Sequence, residues 1–236
     1  MTYEEVMGQF EGLGSEQTKK TFLNHGAQEP LFGVKIGDLK KLAKSVKKDQ
    51  ALAAALYESG VSDAMYLAGL TLDPELLTKV QLRQWVLRAN WYLLAETTMA
   101  GLAAESRHGR ELALEWMASP HELVAACGWS TYANLVSILP DDRLQVGELQ
   151  DLLRAVEEQI HREARDRVRY TMNGFVISVG AYVEALYEEA SAAAAAIGKV
   201  RVQVGNTACK VPVAKDYLAK MDAMGKRGQK RKTCIC

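Results

Sequence analysis

From the first residues to Lys199, apolar side chains return every three or four positions, and no stretch sustains an alternation of apolar and polar residues. A chain with that period can bury its apolar residues only as a stripe along a helix, because a half-buried strand needs a period of two. Tyr3, Val6, Met7, Phe10 and Leu13 form one such stripe, which Gly12 and Gly14 close. Ser15, with Gln17 and the run TKKTFL behind it, opens a second helix, and residues 26–34, GAQEPLFGV, read as a loop because glycine and proline punctuate them. A third helix starts near Lys35. There Ile36, Leu39, Leu42, Ala43 and Val46 share one side, and Lys40, Lys41, Lys44, Lys47 and Lys48 occupy much of the rest. Residues 50–58 and 62–72 make a pair, and 78–89 and 91–105 extend the series across short polar turns. Residues 199–204, KVRVQV, are the exception in period and suit a short strand or an extended arm.

Laid over itself at one constant offset, the chain sets Tyr57, Asp63, Ala68 and Gly69 against Trp116, Glu122, Cys127 and Gly128, which match in character. Two hairpins related in this way predict a diverged helical repeat, and stacked repeats rotate slightly against one another to leave a concave surface. The expected fold is therefore all-α: a superhelix of antiparallel helical hairpins over residues 1–198, with a basic segment at 199–236 that packs on this body or extends from it. Only 5 prolines and 18 glycines in 236 residues agree with helix, and 48% hydrophobic content is ample for one continuous core.

The formal net charge is zero, but its distribution is not even. From Lys199 onward, ten Lys and Arg face only Asp216 and Asp222, so this segment carries +8 and the rest −8. Lys226, Arg227, Lys230, Arg231 and Lys232 all fall within KRGQKRK. Crowded cations repel unless something neutralises them, and phosphates do so with release of condensed counterions. The tail and the helix bearing Lys40, Lys41 and Lys44 thus fit DNA or RNA. Other classes are disfavoured: the chain has no P-loop, no G-x-S-x-G, no H-E-x-x-H and no Rossmann glycine fingerprint. His25, His108, His121 and His161 lack partners at ligand spacing, so neither a metal nor a cofactor is expected. Cys127, Cys209, Cys234 and Cys236 include no C-x-x-C, which points to reduced thiols. The opening MTYEEVMGQF carries acids where a secretory signal carries bases, and no apolar run spans a bilayer; a cytoplasmic protein without membrane contact is expected. A basic run ending in Cys234-Ile235-Cys236 also resembles the prenylation signal of trafficking GTPases, a reading that fails without a P-loop.

Three segments, FGVKIGDLKKLAK at 32–44, NWYLLAE at 90–96 and MNGFVISVGAY at 172–182, resemble the bacterial AlkD-like family of DNA alkylation repair proteins. GNTACKVPVAKDYL and KRGQKRKTC, between Gly205 and Cys234, resemble the C-terminal signature of one branch of that family. The resemblance implies a superhelix of HEAT-like repeats around a cleft for double-stranded DNA, acting as a monomer. It also implies removal of purines alkylated at N3 or N7, whose positive charge makes them good leaving groups. Family members place a Trp and, one helical turn later, an Asp in the cleft, with a second aromatic and an Arg at the DNA backbone. The carboxylate would stabilise the oxocarbenium-like sugar as the glycosidic bond lengthens. Carried over, the first aromatic falls on Trp91 and the second near Phe175. The Asp position is Ala95, and Glu96 lies about 100° further round an α-helix. The Arg is missing from the helix expected over 123–136. The residues therefore imply a DNA binder, its DNA possibly alkylated, with weak or absent excision. The alternatives are a protein-binding helical scaffold and an active glycosylase in which Glu96 or another acid replaces the Asp.

Overall fold

Helix starts follow local chemistry. Thr2 and Thr78 each form a capping box, with Glu5 and Gln81, while Ser15 and Asp49 accept backbone N–H groups of the turns that follow them. In the computed structural model, which describes residues 1–46, 49–205 and 207–235, these and later starts give thirteen α-helices and no strand among the described residues. They are α1 (Tyr3–Leu13), α2 (Glu16–Asn24), α3 (Ile36–Ser45), α4 (Gln50–Glu58), α5 (Ser62–Thr71), α6 (Lys79–Val86) and α7 (Ala100–Glu105), which a π-helical turn (Leu94–Met99) precedes. Then come α8 (Gly109–Met117), α9 (Glu122–Ile138), α10 (Val146–Gln159), α11 (Asp166–Tyr182), α12 (Tyr187–Ile197) and α13 (Ala214–Ala223). Lys47, Lys48 and Cys236, named above, lie outside the described residues.

The helices form two layers. In the inner one, α5 packs on the π turn, the π turn and α7 on α9, and α9 on α11; α4, α8, α10 and α12 belong to the outer one. The inner helices are buried nearly all round, as α5 shows with Ser62–Gly69 wholly inside. They can pack so closely because small residues face their neighbours. A Cβ on Gly128 would come within 2.5 Å of the Met117 nitrogen, and one on Gly69 would collide with Thr98. The two glycines are equivalents in the self-match, as are Tyr57 on α4 and Trp116 on α8, both buried. The α4/α5 and α8/α9 hairpins are thus two copies of one unit. The core divides at this second copy. Trp116, Val124 and Cys127 face the N-terminal half, and Ala113, Ala125 and Trp129 face the C-terminal half.

The C-terminal segment binds the body instead of leaving it. Residues 199–204 are extended without strand pairing among the described residues, and α13 packs on α11 and α12. KRGQKRK then crosses the C-terminal ends of the inner helices. Gly228 N–H donates to the Ala181 carbonyl at 2.9 Å and Arg231 N–H to that of Ser137 at 2.8 Å, while Lys230 Nζ reaches the Val136 carbonyl at 2.9 Å and Asp141 at 2.7 Å. Arg227 pairs with Asp222 and lies 3.7 Å over the Tyr187 ring. The strap ends on Glu105, which accepts from the Thr233 hydroxyl and from the N–H groups of Cys234 and Ile235. Ile235 rests against Gly101.

Candidate functional site

Helices α5, α9 and α11 each carry an acid in the first turn, Asp63, Glu122 and Asp166, and the side chains at their N-cap positions make no cap. A carboxylate is favoured there by the helix dipole. Each of these also grips the backbone of another segment. Asp63 accepts from the Phe32 and Val34 amides at 2.6 and 2.7 Å, Glu122 from Arg167 at 2.7 Å, and Asp166 from Gln203 at 2.8 Å. Loop 26–34, the start of α11 and the extended segment after Lys199 are thereby fixed along one edge of the inner layer.

On this edge opens a cleft of about 440 Å³, lined by Trp91, Tyr92, Arg167 and Tyr170, with His25 and Asn90 beside them and Gln203, Gly205 and Cys209 across from them. Trp91 is almost wholly buried; its Nε1–H donates to the His25 carbonyl at 2.8 Å, and its ring packs on Phe22 and Tyr92. His25 Nδ1 lies 3.0 Å from the Tyr92 hydroxyl. The Arg167 guanidinium is sandwiched 4.1 Å from the Tyr92 centroid and 4.3 Å from that of Tyr170. Its Nε donates to Glu96 at 2.7 Å and its Nη2 to the other Glu96 oxygen. Burial pushes the Glu96 carboxyl above the ordinary carboxylate range against the pull of Arg167. Two of the five guanidinium N–H groups are used in this pair, leaving donors for a second anion. From the same three residues a hollow of about 340 Å³ runs along the inner layer over Ser130, Ala133 and Asn134 of α9 and Thr171, Gly174 and Ser178 of α11. Their spacing places them on one face of each helix, and their small size leaves room for a bulky chain.

The π turn decides where Glu96 points. Over Leu94–Met99 the backbone bonds i→i+5, so each residue advances by less than in an α-helix, and Glu96, the residue after Ala95, lines the hollow beside Arg167. Ala95 itself is fully buried in the core. Arg167 comes from α11, whereas the family resemblance implies an arginine on α9. Phe175, expected as the second cleft aromatic, is wholly buried edge-on to Trp129 and Tyr132, because its position on α11 faces the core; Tyr92 and Tyr170 supply the rings at the cleft. Lys40, Lys41 and Lys44 are exposed on α3, which lines neither hollow, and Lys41 pairs with Asp38. Lys226, Arg227, Lys230, Arg231 and Lys232 lie on or beside the strap, at the other ends of the inner helices.

A sequence model of the family described as DNA alkylation repair enzyme matches residues 6–199. The chain belongs to that family. Among DNA alkylation repair proteins it is similar to uncharacterized proteins of Listeria monocytogenes and Listeria innocua, 36% and 35% identical over 226 residues, covering 93% of this chain and 97% of each relative. It is also similar to a solved structure described as a new family of proteins related to the HEAT-like repeat DNA glycosylases with affinity for branched DNA structures. The TM-score is 0.91, with 34% identity over the whole of both chains. The fold is the HEAT-like superhelix. Arg167, Tyr92, Tyr170 and His25 were missed from sequence. A signal for Arg167 and Tyr170 was available, since they follow the first-turn acid of an inner helix at a spacing that puts both on one face.

Proposed function

We propose that this protein holds branched double-stranded DNA against the cleft and the hollow that continues it, and that it excises alkylated purines weakly or not at all. One observation carries the reading: both oxygens of Glu96 are held by Arg167. A carboxylate that speeds glycosidic cleavage must offer its charge to the developing oxocarbenium. Glu96 gives that charge to a guanidinium, and Ala95 has none to give. The pair instead orients Arg167, whose remaining N–H groups suit a phosphate. The affinity of the solved relative for branched DNA supports the ligand class.

The test is single-turnover release of 7-methylguanine from duplex DNA, compared with spontaneous depurination, for wild type and Glu96→Gln. The expected result is release at background for wild type and Glu96→Gln, with DNA binding retained. Wild-type release well above background that collapses in Glu96→Gln overturns the reading and makes Glu96 the catalytic acid. Absence of salt-dependent DNA binding would favour the protein-binding scaffold.

A further inference from the structure

At the opposite edge of the inner layer, where α9 ends, lies a second and larger cleft of about 700 Å³ that shares no lining residue with the first. The 17 residues of α9 separate the two openings by roughly 25 Å at 1.5 Å per residue. Four cations line it, Arg107, Arg110, Arg143 and Lys232, against two acids, Glu75 and Glu105. Their commitments differ. Arg110 is bidentate to Glu148, and Glu105 is taken up by the hydroxyl and amides at the end of the strap. Arg107 donates to the Glu75 backbone carbonyl, and Arg107, Arg143 and Lys232 are all exposed with no carboxylate ion-pair partner among the described residues. No aromatic side chain lines this cleft to anchor a protein partner.

We infer that this cleft is a second polyanion site, which takes the sugar-phosphate backbone of another arm of the branched DNA whose first arm lies at the Arg167 cleft. The inference rests on the branched-DNA reading above. Cations on two opposite edges of one rigid layer suit a ligand that presents backbone in more than one direction, as a junction does and a straight duplex does not. The strap supplies Lys232 and occupies Glu105 with hydrogen-bond donors, so it completes the site as well as closing the fold.

The test uses the full chain with Arg107→Gln, Arg143→Gln and Lys232→Gln combined. All three residues are exposed, and the Arg110–Glu148 pair is left intact. Fluorescence anisotropy across a salt series compares a fixed four-way junction with a linear duplex of equal length. Wild type is expected to prefer the junction. The triple variant should bind the junction about tenfold more weakly, with a salt slope lower by up to about 0.9 per lost contact, while duplex affinity holds. Unchanged junction affinity and slope overturn the inference and point to an acidic protein segment as occupant. Equal losses on both DNAs also overturn it, since they remove the arm-specific role. No junction preference in wild type refutes the branched-DNA reading itself, an outcome visible before any variant is made.

Discussion

At the N-terminal edge of the inner layer, carboxylates at the starts of α5, α9 and α11 reach outward to backbone amides of other segments and leave an open cleft between them. At the C-terminal edge, the last carbonyls of α9 and α11 are met by amides and an ammonium of the strap, which crosses this edge beside the second cleft. Both edges obey the same helix field with opposite signs. The contrast explains the uneven charge of the sequence. Part of the positive surplus after Lys199 serves the body, since Lys230 pairs with Asp141, while Arg227 pairs with Asp222 of its own segment.

The largest effect is expected at the open edge. Arg167→Leu strands the Glu96 carboxylate in a buried site, and losing one partner of such a pair costs about 3–5 kcal/mol. Urea unfolding should show this loss, with part of it recovered when Glu96→Gln is added. A cost below about 1 kcal/mol would mean that water screens the pair like a surface one and would break the comparison.

The strapped edge should respond next. Glu105→Ala removes the acceptor for four strap donors, the Thr233 hydroxyl, the Cys234 thiol and the Cys234 and Ile235 amides, and hydrogen bonds to a charged group are worth about 1.5–3 kcal/mol. Trypsin should then cut within KRGQKRK at a protein-to-protease ratio that spares wild type. Those hydrogen bonds hold the Glu105 carboxyl below its ordinary range despite opposing desolvation. A depressed folded-state pKa adds stability that is full above the ordinary carboxylate value and is lost as pH falls through the folded one. Glu105→Gln should remove that acid-side share of the pH dependence, and an unaltered profile in the variant would place it elsewhere.

Smaller still is the expected effect of Lys230→Met. The ion-pair partner Asp141 is about half exposed, at 49%, so the pair adds no more than about 1 kcal/mol, read as a slight drop in thermal midpoint. Smallest of all is α3. If Lys40 and Lys44 meet DNA, it is as outlying phosphate contacts, so Lys40→Gln with Lys44→Gln should lower the salt slope by up to about 0.9 each and leave junction preference intact. Loss of that preference would shift the binding face to α3.

One-sided helices such as α1 and α3 were legible in the sequence because burial imposes a period, whereas the inner helices, buried nearly all round, carry little of one. The match of Asp63 and Gly69 with Glu122 and Gly128 located two equivalent hairpins. Trp91 located the cleft. Glu96 was harder, because its orientation depends on the hydrogen-bond pattern of one turn, and a π turn has no apolar period of its own. Arg167 was hidden by distance: 71 residues separate it from Glu96, and only the stacking of α11 on α9 brings them together. The strap was masked by its own charge. Its cations read as an arm, although Cys234 and Ile235, apolar residues at its end, were a sign that it docks.

The strap also changes the kind of object this superhelix is. In a stack of repeats each unit touches only its neighbours, so stability is nearly a sum of local terms and the ends can fray independently. Here a single segment joins the end of α11, the end of α9 and Glu105 of α7, which lies 129 residues before Cys234 in the chain. A link of that span makes the array close on itself. Loss of any one clasped helix loosens the hold on the other two, so α7, α9 and α11 should melt together as one cooperative unit.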